Sequence, residues 1–254
     1  MTVRARPAGA ATALGLATVA ALVVAAELMI DRGWINELVV PRPSDVLASF
    51  PRLVAEEDVV PRVVRTALET AAAAALVAVA GTALGVLLYR RRVWRAALVT
   101  WVGAFAAAPL VLVYPLFLVV FGRNSVTIVV IGFLSGLAPA ALKTLEGLSA
   151  TRRVLLDVGR SFGLTPAQQF WKILLPSALP TVFVGLRLGL MFALINIVAV
   201  EFLINFGGLG QLVNDLSERY DLPAMYATIG LVVLISAGMF ALTERAERWL
   251  HHRA

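Results

Sequence analysis

The chain has 254 residues, 60% of them hydrophobic and only 15% charged, with a formal net charge of +6 and no cysteine. Soluble domains carry roughly 45–50% apolar and about 25% charged residues, so this composition excludes an ordinary soluble protein and points to a multi-span membrane protein. The lack of cysteine removes any disulfide framework, thiolate metal site or cysteine nucleophile, and the basic residues are dispersed among apolar runs, unlike the stripe of a nucleic-acid binder.

At about 20 residues per span, the length accommodates about six transmembrane helices in a single all-α domain, residues 1–254, with no separate soluble domain. The first apolar run, about 8–30, follows Arg4 and Arg6 and ends near the small residues Ala25 and Ala26. It reads either as a first span or as a cleaved signal peptide; its length exceeds a signal core and favours the span. A polar stretch from Asp31 to Arg62 contains PRPSDVLASF, where Ser44 is placed to N-cap a short surface helix with Asp45 in its first turn. Spans are expected at about 63–89, 96–121 and 126–142. In the third, Pro109 and Pro115 each remove a backbone donor and predict a kink, which marks either a cavity-lining or gating helix or plain packing. A loop at 143–179 precedes a fifth span at about 180–204. The stretch Asn205 to Pro223 opens with NFGGLG, a glycine hinge leading into a short polar helix, and a sixth span follows at about 224–243. Each polar stretch reads either as a solvated loop or as a docking surface.

Orientation follows from the asymmetry of arginine and lysine. With the N-terminus inside, the cytoplasmic segments hold Arg90, Arg91, Arg92, Arg95, Lys143, Arg152, Arg153, Arg160 and Lys172 together with the basic residues of both termini. The outer segments hold half as many and most of the acids. Both termini and the 143–179 loop are therefore expected in the cytoplasm.

Catalytic motifs are missing. No glycine is followed by lysine, so there is no G-x-x-x-x-G-K-[ST] phosphate loop, and neither H-E-x-x-H nor G-x-S-x-G occurs. The only histidines are the terminal pair His251 and His252. We therefore expect no catalytic residue, no metal site and no cofactor on this chain. Charges inside spans are few, and each costs at least ~2.5 kcal/mol on insertion scales. Glu27 and Glu69 lie near outer ends, within reach of headgroups. Arg187 reads as an anchor whose long stem snorkels. Glu201 reads either as solvated at the interface or as part of the pathway or outer gate, and Asn196 is a further pathway candidate. The pairs Gly81/Gly85, Gly132/Gly136 and Gly185/Gly189 permit close helix contact.

The most specific stretch is DVGRSFGLTPAQQFWKILLPSALP, residues 157–180. Gly163 is a natural helix stop. Thr165 then begins a second helix with Pro166 at its first position and Gln168 at its third, a T-x-x-Q capping box. That helix runs through Phe170, Trp171 and Ile173 and is expected to end near Pro176. On physical grounds alone it reads as an amphipathic helix on the membrane surface.

These residues resemble the signature loop of binding-protein-dependent ABC importer permeases: E-A-A, three residues, glycine, nine residues, isoleucine, one residue, leucine-proline. Asp157, Val158 and Gly159 stand at E-A-A, Gly163 at the glycine, Ile173 at the isoleucine, and Leu175 and Pro176 at the closing pair, with Leu164 between the two helices. The opening triplet departs from the pattern. The segment Gly185-Leu186-Arg187-Leu188, Glu201 and the outer PRPSDVL, Pro41 to Leu47, are similar to the branch that imports nitrate, sulfonates, taurine and similar small molecules. The third span, AFAAAPLVLVYPLFLVVFG, lacks the paired prolines with which many relatives begin it. The resemblance implies a type I ABC importer permease fold in a bacterial inner membrane. It also implies a coupling helix that docks on cytoplasmic ABC ATPase subunits carrying ATP and magnesium, a second permease copy or a homologous permease, and an extracytoplasmic solute-binding protein. An ion-coupled secondary transporter is the alternative; it would favour inverted repeats and mid-membrane charges, and neither is evident.

Overall fold

The computed structural model describes residues 8–251; Arg4, Arg6, His252 and Arg253 lie outside the described residues. Among the described residues every regular element is helical. They are α1 (Ala8–Asp31), α2 (Pro43–Glu56), α3 (Val59–Arg90), α4 (Arg92–Ala107), α5 (Leu110–Phe121), α6 (Ser125–Ser149), α7 (Arg153–Ser161), α8 (Pro166–Ile204), α9 (Leu209–Glu218) and α10 (Leu222–His251). Helices α1, α3, α6, α8 and α10 are long and apolar enough to cross a bilayer, and α4 with α5 makes a sixth, broken candidate.

The core is α6 sandwiched between α3 and α8, and the three glycine pairs explain how. A Cβ on Gly81 would lie 2.7 Å from Ala140 Cβ, and one on Gly85 2.5 Å from Thr144 Cβ, so α3 presses on α6. From the other side, a Cβ on Gly185 would lie 2.6 Å from Lys143 Cβ, and Gly136 and Gly189 face each other backbone to backbone. In lipid there is no hydrophobic drive between helices, so this close approach is what holds them. Contacts rising together along α3 and α6, and in opposite order along α6 and α8, make the first pair parallel and the second antiparallel. The wide π turn at Val77–Gly81 lets Ala73, Val77, Gly81 and Gly85 share one buried face.

Several expectations need correction. The third span is not one kinked helix: α4 and α5 meet at 87° across Ala108 and Pro109. Pro109, without a donor, lies at the break, and Pro115 starts the regular turns of α5, where its missing N–H costs nothing. The fourth helix continues seven residues past Leu142, to Ser149. The fifth begins at Pro166 and passes through both Pro176 and Pro180 without ending. A π turn at Phe170–Leu174 lies directly before Pro176 and widens the turn its ring would crowd. The expected 143–179 loop is therefore mostly helix.

Ser44 is not an N-cap. Arg42 occupies that position with Pro43 at N1, and Ser44 donates its N–H (3.2 Å) and hydroxyl (2.6 Å) to Glu27 of α1. A distant carboxyl thus caps the helix. Neither polar stretch is wholly a solvated loop: residues 32–39 are mostly exposed turns, but the helical parts of both stretches pack together. Leu53 of α2, Val59 of α3, Leu212 and Leu216 of α9 and Ala224 of α10 form a buried cluster, fastened by Arg62–Asp215 (3.3 Å), Arg219–Glu57 (2.7 Å) and Arg52–Asp221.

Candidate functional site

Two polar constellations occupy opposite ends of α8. At its N-terminal end, residues 153–176 form one rigid unit. Helix α7 closes with a Schellman turn: Gly163, at φ +70°, donates to Arg160 O (2.9 Å), and Leu164 N–H donates to Gly159 O (3.0 Å). Thr165 N–H donates to Gln168 Oε1 (2.9 Å) and Gln168 N–H to Thr165 Oγ1 (3.3 Å), which completes the capping box. The two halves interlock: a Cβ on Gly159 would lie 2.6 Å from Ile173 Cδ1. The residue in the third position of the degenerate triplet is therefore in contact with the motif's isoleucine, which explains why it must be small. Asp157, in the first position, makes only an exposed ion pair with Arg160 (3.0 Å). Phe170 and Leu174 are buried with Leu148 and Ala178, and the Arg90 guanidinium stands 4.3 Å over the Phe170 ring. By contrast Val154, Val158 and Phe162, spaced by four along and just beyond α7, are exposed, as is Trp171. An exposed apolar stripe on a helix closed by its own C-terminal turn is the kind of surface that takes a partner.

At the other end, Glu201 is completely buried. Its carboxyl accepts from Thr66 Oγ1 (2.8 and 3.0 Å) and from Gly210 N–H (2.8 Å), while Thr66 Oγ1 accepts from Leu209 N–H (2.9 Å). The first amides of α9 are thus capped from α3 and α8, because no side chain caps that helix locally. Gly208 and Gly210 press against this group so closely that a Cβ at either position has no room. Glu69, one turn from Thr66, is buried too and pairs with Arg65 (3.4 Å), whose guanidinium lies 4.4 Å over Phe206 and donates to Ser125 (3.1 Å). Arg123 donates to Asn205 O, closing the hinge from α6's side. Glu69 is buried against Arg65, where headgroup contact was expected; of the two readings of Glu201, interfacial solvation is ruled out by its burial, which the Thr66 hydroxyl and the Gly210 N–H make tolerable.

The profile of the family described as binding-protein-dependent transport system inner membrane component matches residues 77–253. The chain belongs to this family. Permeases of the same kind are similar over most of its length: a probable ABC transporter permease of Brucella melitensis is 26% identical over 213 residues, 84% of this chain and 87% of that protein. The taurine transport system permease TauC of Escherichia coli is 30% identical over 139 residues, 53% of this chain and 50% of its own length. The formylaminopyrimidine transport permease ThiX of Halalkalibacterium halodurans is 29% identical over 177 residues, 69% of this chain and 70% of its own length. The MetNI methionine ABC transporter, in an inward-facing conformation, superposes with a TM-score of 0.66 at 23% identity, over 75% of this chain and 94% of that chain. The fold is that of an ABC importer permease, and these likenesses favour it over an ion-coupled transporter.

In this permease the pathway candidates do not converge. Arg187 lies 4.9 Å over the Phe240 ring and lines a groove of about 390 Å³ between α8 and α10 with Leu190, Leu194 and Val233. A second groove, about 440 Å³, continues past Ile195 to Phe202 and Ile229. Asn196 donates to Phe192 O one turn back (2.9 Å), and Glu201 is turned toward α3 and α9. Pro109 and Pro115 sit at the α4–α5 bend. The sequence reading missed Thr66 and the Gly208–Gly210 backbone. Only the unusual G-G-L-G run pointed to them, and glycine runs are commoner as hinges than as ligands.

Proposed function

We propose that the chain is the translocation subunit of an ATP-driven importer and that residues 153–176 are its coupling helix. The observation that carries this is mechanical. The unit is capped at both of its helices, interlocked through Gly159 and Ile173, and continuous with α8, so a push on its exposed Val154–Val158–Phe162 stripe is delivered to a membrane helix without a hinge. With the arginine-rich segments in the cytoplasm, the unit faces cytoplasmic ABC ATPases, which bind ATP and magnesium, and the α2–α9 assembly faces outward to a solute-binding protein. Two permease copies, or this chain and a homologue, enclose the pathway. ATP binding closes the ATPases, draws the coupling helices together and opens the spans outward; hydrolysis resets them. No step of this cycle needs a catalytic group on the permease. Names of relatives that carry taurine, betaines and a formylaminopyrimidine support a small organic solute, with nitrate and sulfonates as kindred cargo.

The test is co-purification with the ATPase encoded alongside it, followed by ATPase assay in nanodiscs with the cognate binding protein. Gly163→Asp is expected to abolish transport and binding-protein-stimulated hydrolysis. Full transport by that variant without any associated ATPase would overturn the reading.

A further inference from the structure

The turn joining α3 to α4 gathers positive charge that the fold does not neutralise. Arg90, Arg91, Arg92 and Arg95 are all exposed, and among the described residues none of them forms an ion pair. The contrast with the other end of the bundle is sharp: Arg42, Arg52, Arg62, Arg65 and Arg219 each meet a carboxyl there. Four like charges within six residues repel unless something outside the chain supplies the counter-charge. Position says what that is. Trp94, between the arginines, and Trp101, seven residues on and so on the same face of α4, are both exposed. Tryptophan on a lipid-facing helix favours headgroup level, which puts Trp94 and the arginines beside it at the phosphate layer, with Trp101 about 10 Å further along the same lipid-facing side. The turn also borders a cleft of about 330 Å³ lined by Tyr89, Arg90, Pro166, Ala167, Phe170 and Leu174, where Arg90 covers the Phe170 ring at 4.3 Å.

We propose that this turn is a seat for the headgroups of anionic phospholipids. Arg91, Arg92 and Arg95 hold the phosphodiester through charge-assisted hydrogen bonds, and Arg90 links the occupied seat to the first turns of α8 through Phe170. Lipid charge thereby reaches the 153–176 unit. That last consequence rests on the coupling role proposed above; the binding does not.

Binding is read on the permease alone, in nanodiscs, by quenching of Trp94 fluorescence with brominated phosphatidylglycerol or brominated phosphatidylcholine at equal mole fraction, with Trp94→Phe subtracted as background. Each arginine near an anionic surface contributes roughly fivefold, so an enrichment of phosphatidylglycerol of at least about threefold is expected. It should fall to about one in the triple variant R91Q/R92Q/R95Q and persist in R91K/R92K/R95K. Because loss of these charges also weakens the topology signal, the wild type in ~1 M salt, where the screening length is about 3 Å, gives a second reading and should also approach one. A wild-type ratio of one overturns the proposal, as does a ratio that neither the glutamine variant nor salt lowers. Loss of enrichment with inorganic phosphate, but not with chloride of matched ionic strength, reassigns the site to a soluble anion and overturns it too. A second arm measures ATPase activity of the permease–ATPase complex with and without phosphatidylglycerol. Lipid enrichment without any associated ATPase counts against the proposed function and leaves the lipid seat standing.

Discussion

Replacing Glu201 by alanine should release α9 from the bundle while leaving the 153–176 unit untouched. The carboxyl receives two buried donors, the Thr66 hydroxyl and the Gly210 N–H, and both lose their acceptor in the variant. An orphaned buried donor costs about 1–3 kcal/mol, so the pair costs about 2–6 kcal/mol, before any contribution from the space the side chain vacates. The loss is local because the affected amide opens the first turn of α9. At ~1.4 kcal/mol per decade, even the lower bound makes amide exchange at 209–212 roughly 30-fold faster. Glu201→Gln keeps one carbonyl oxygen for Gly210, and its amide can donate to Thr66 Oγ1, so its effect should be no more than about 1 kcal/mol. Thr66→Val removes the acceptor of Leu209 N–H and should approach the alanine variant. The measurement is hydrogen exchange by mass spectrometry in nanodiscs, comparing peptides over 205–216 with peptides over 153–165. Unchanged protection at 209–212 in Glu201→Ala, or an equal loss in both peptides, would refute the clamp as a local fastening.

Three further outcomes follow from single contacts. Gly163→Ala should destabilise the α7 stop by about 1–2 kcal/mol, the cost of a left-handed residue, since open space surrounds its Cβ; Gly163→Asn should cost less, and exchange at 161–166 reads both. Gly159→Ala forces Ile173 Cδ1 aside and should lower ATPase stimulation, which Ile173→Val restores by removing that atom; failure of the double variant to recover would show that the contact is not what the substitution disturbs. Gly136→Leu, opposite Gly189, should lower thermal stability by about 3 kcal/mol or more, whereas Gly103→Leu, with nothing within 4 Å, should stay within about 0.5 kcal/mol.

What was legible in the sequence was what neighbours in sequence decide. Span count came from apolar length, and the Gly163 stop and the Thr165 box came from residues three to five apart, so both appear where the spacing put them. The glycine pairs were visible as pairs, but not that all three meet on α6, since that depends on which helices are adjacent. Prolines misled in both directions. Pro176 and Pro180 were read as boundaries and lie inside a helix, because a preceding π turn accommodates the first. Pro109 was read as a kink and stands at an 87° break. Glu201 was hardest, because its partner Thr66 is 135 residues away and its other partners are backbone N–H groups of a glycine run that any sequence reading takes for a hinge.

That difference between local and distant signals bears on how the protein moves. Helix α8 runs for 39 residues, about 58 Å, from the capping box at Thr165 to the clamp at Glu201. Its N-terminal end is stiffened by bonds within one short stretch of chain, which survive any rearrangement of neighbouring helices. Its C-terminal end is tied to α3 and α9 by bonds between elements, which hold only while those helices keep their register. Motion imposed at the first end therefore arrives at the second as a demand on the Thr66–Glu201–Gly210 junction. Either the junction holds and α3, α8 and α9 turn as one body, or it opens and the hinge at Asn205–Gly208 takes up the displacement. The Glu201→Ala variant separates these cases. If the three helices move together, weakening the junction uncouples solute release at the α9 end from ATP hydrolysis while basal hydrolysis persists. If the hinge normally opens, the same substitution leaves transport intact.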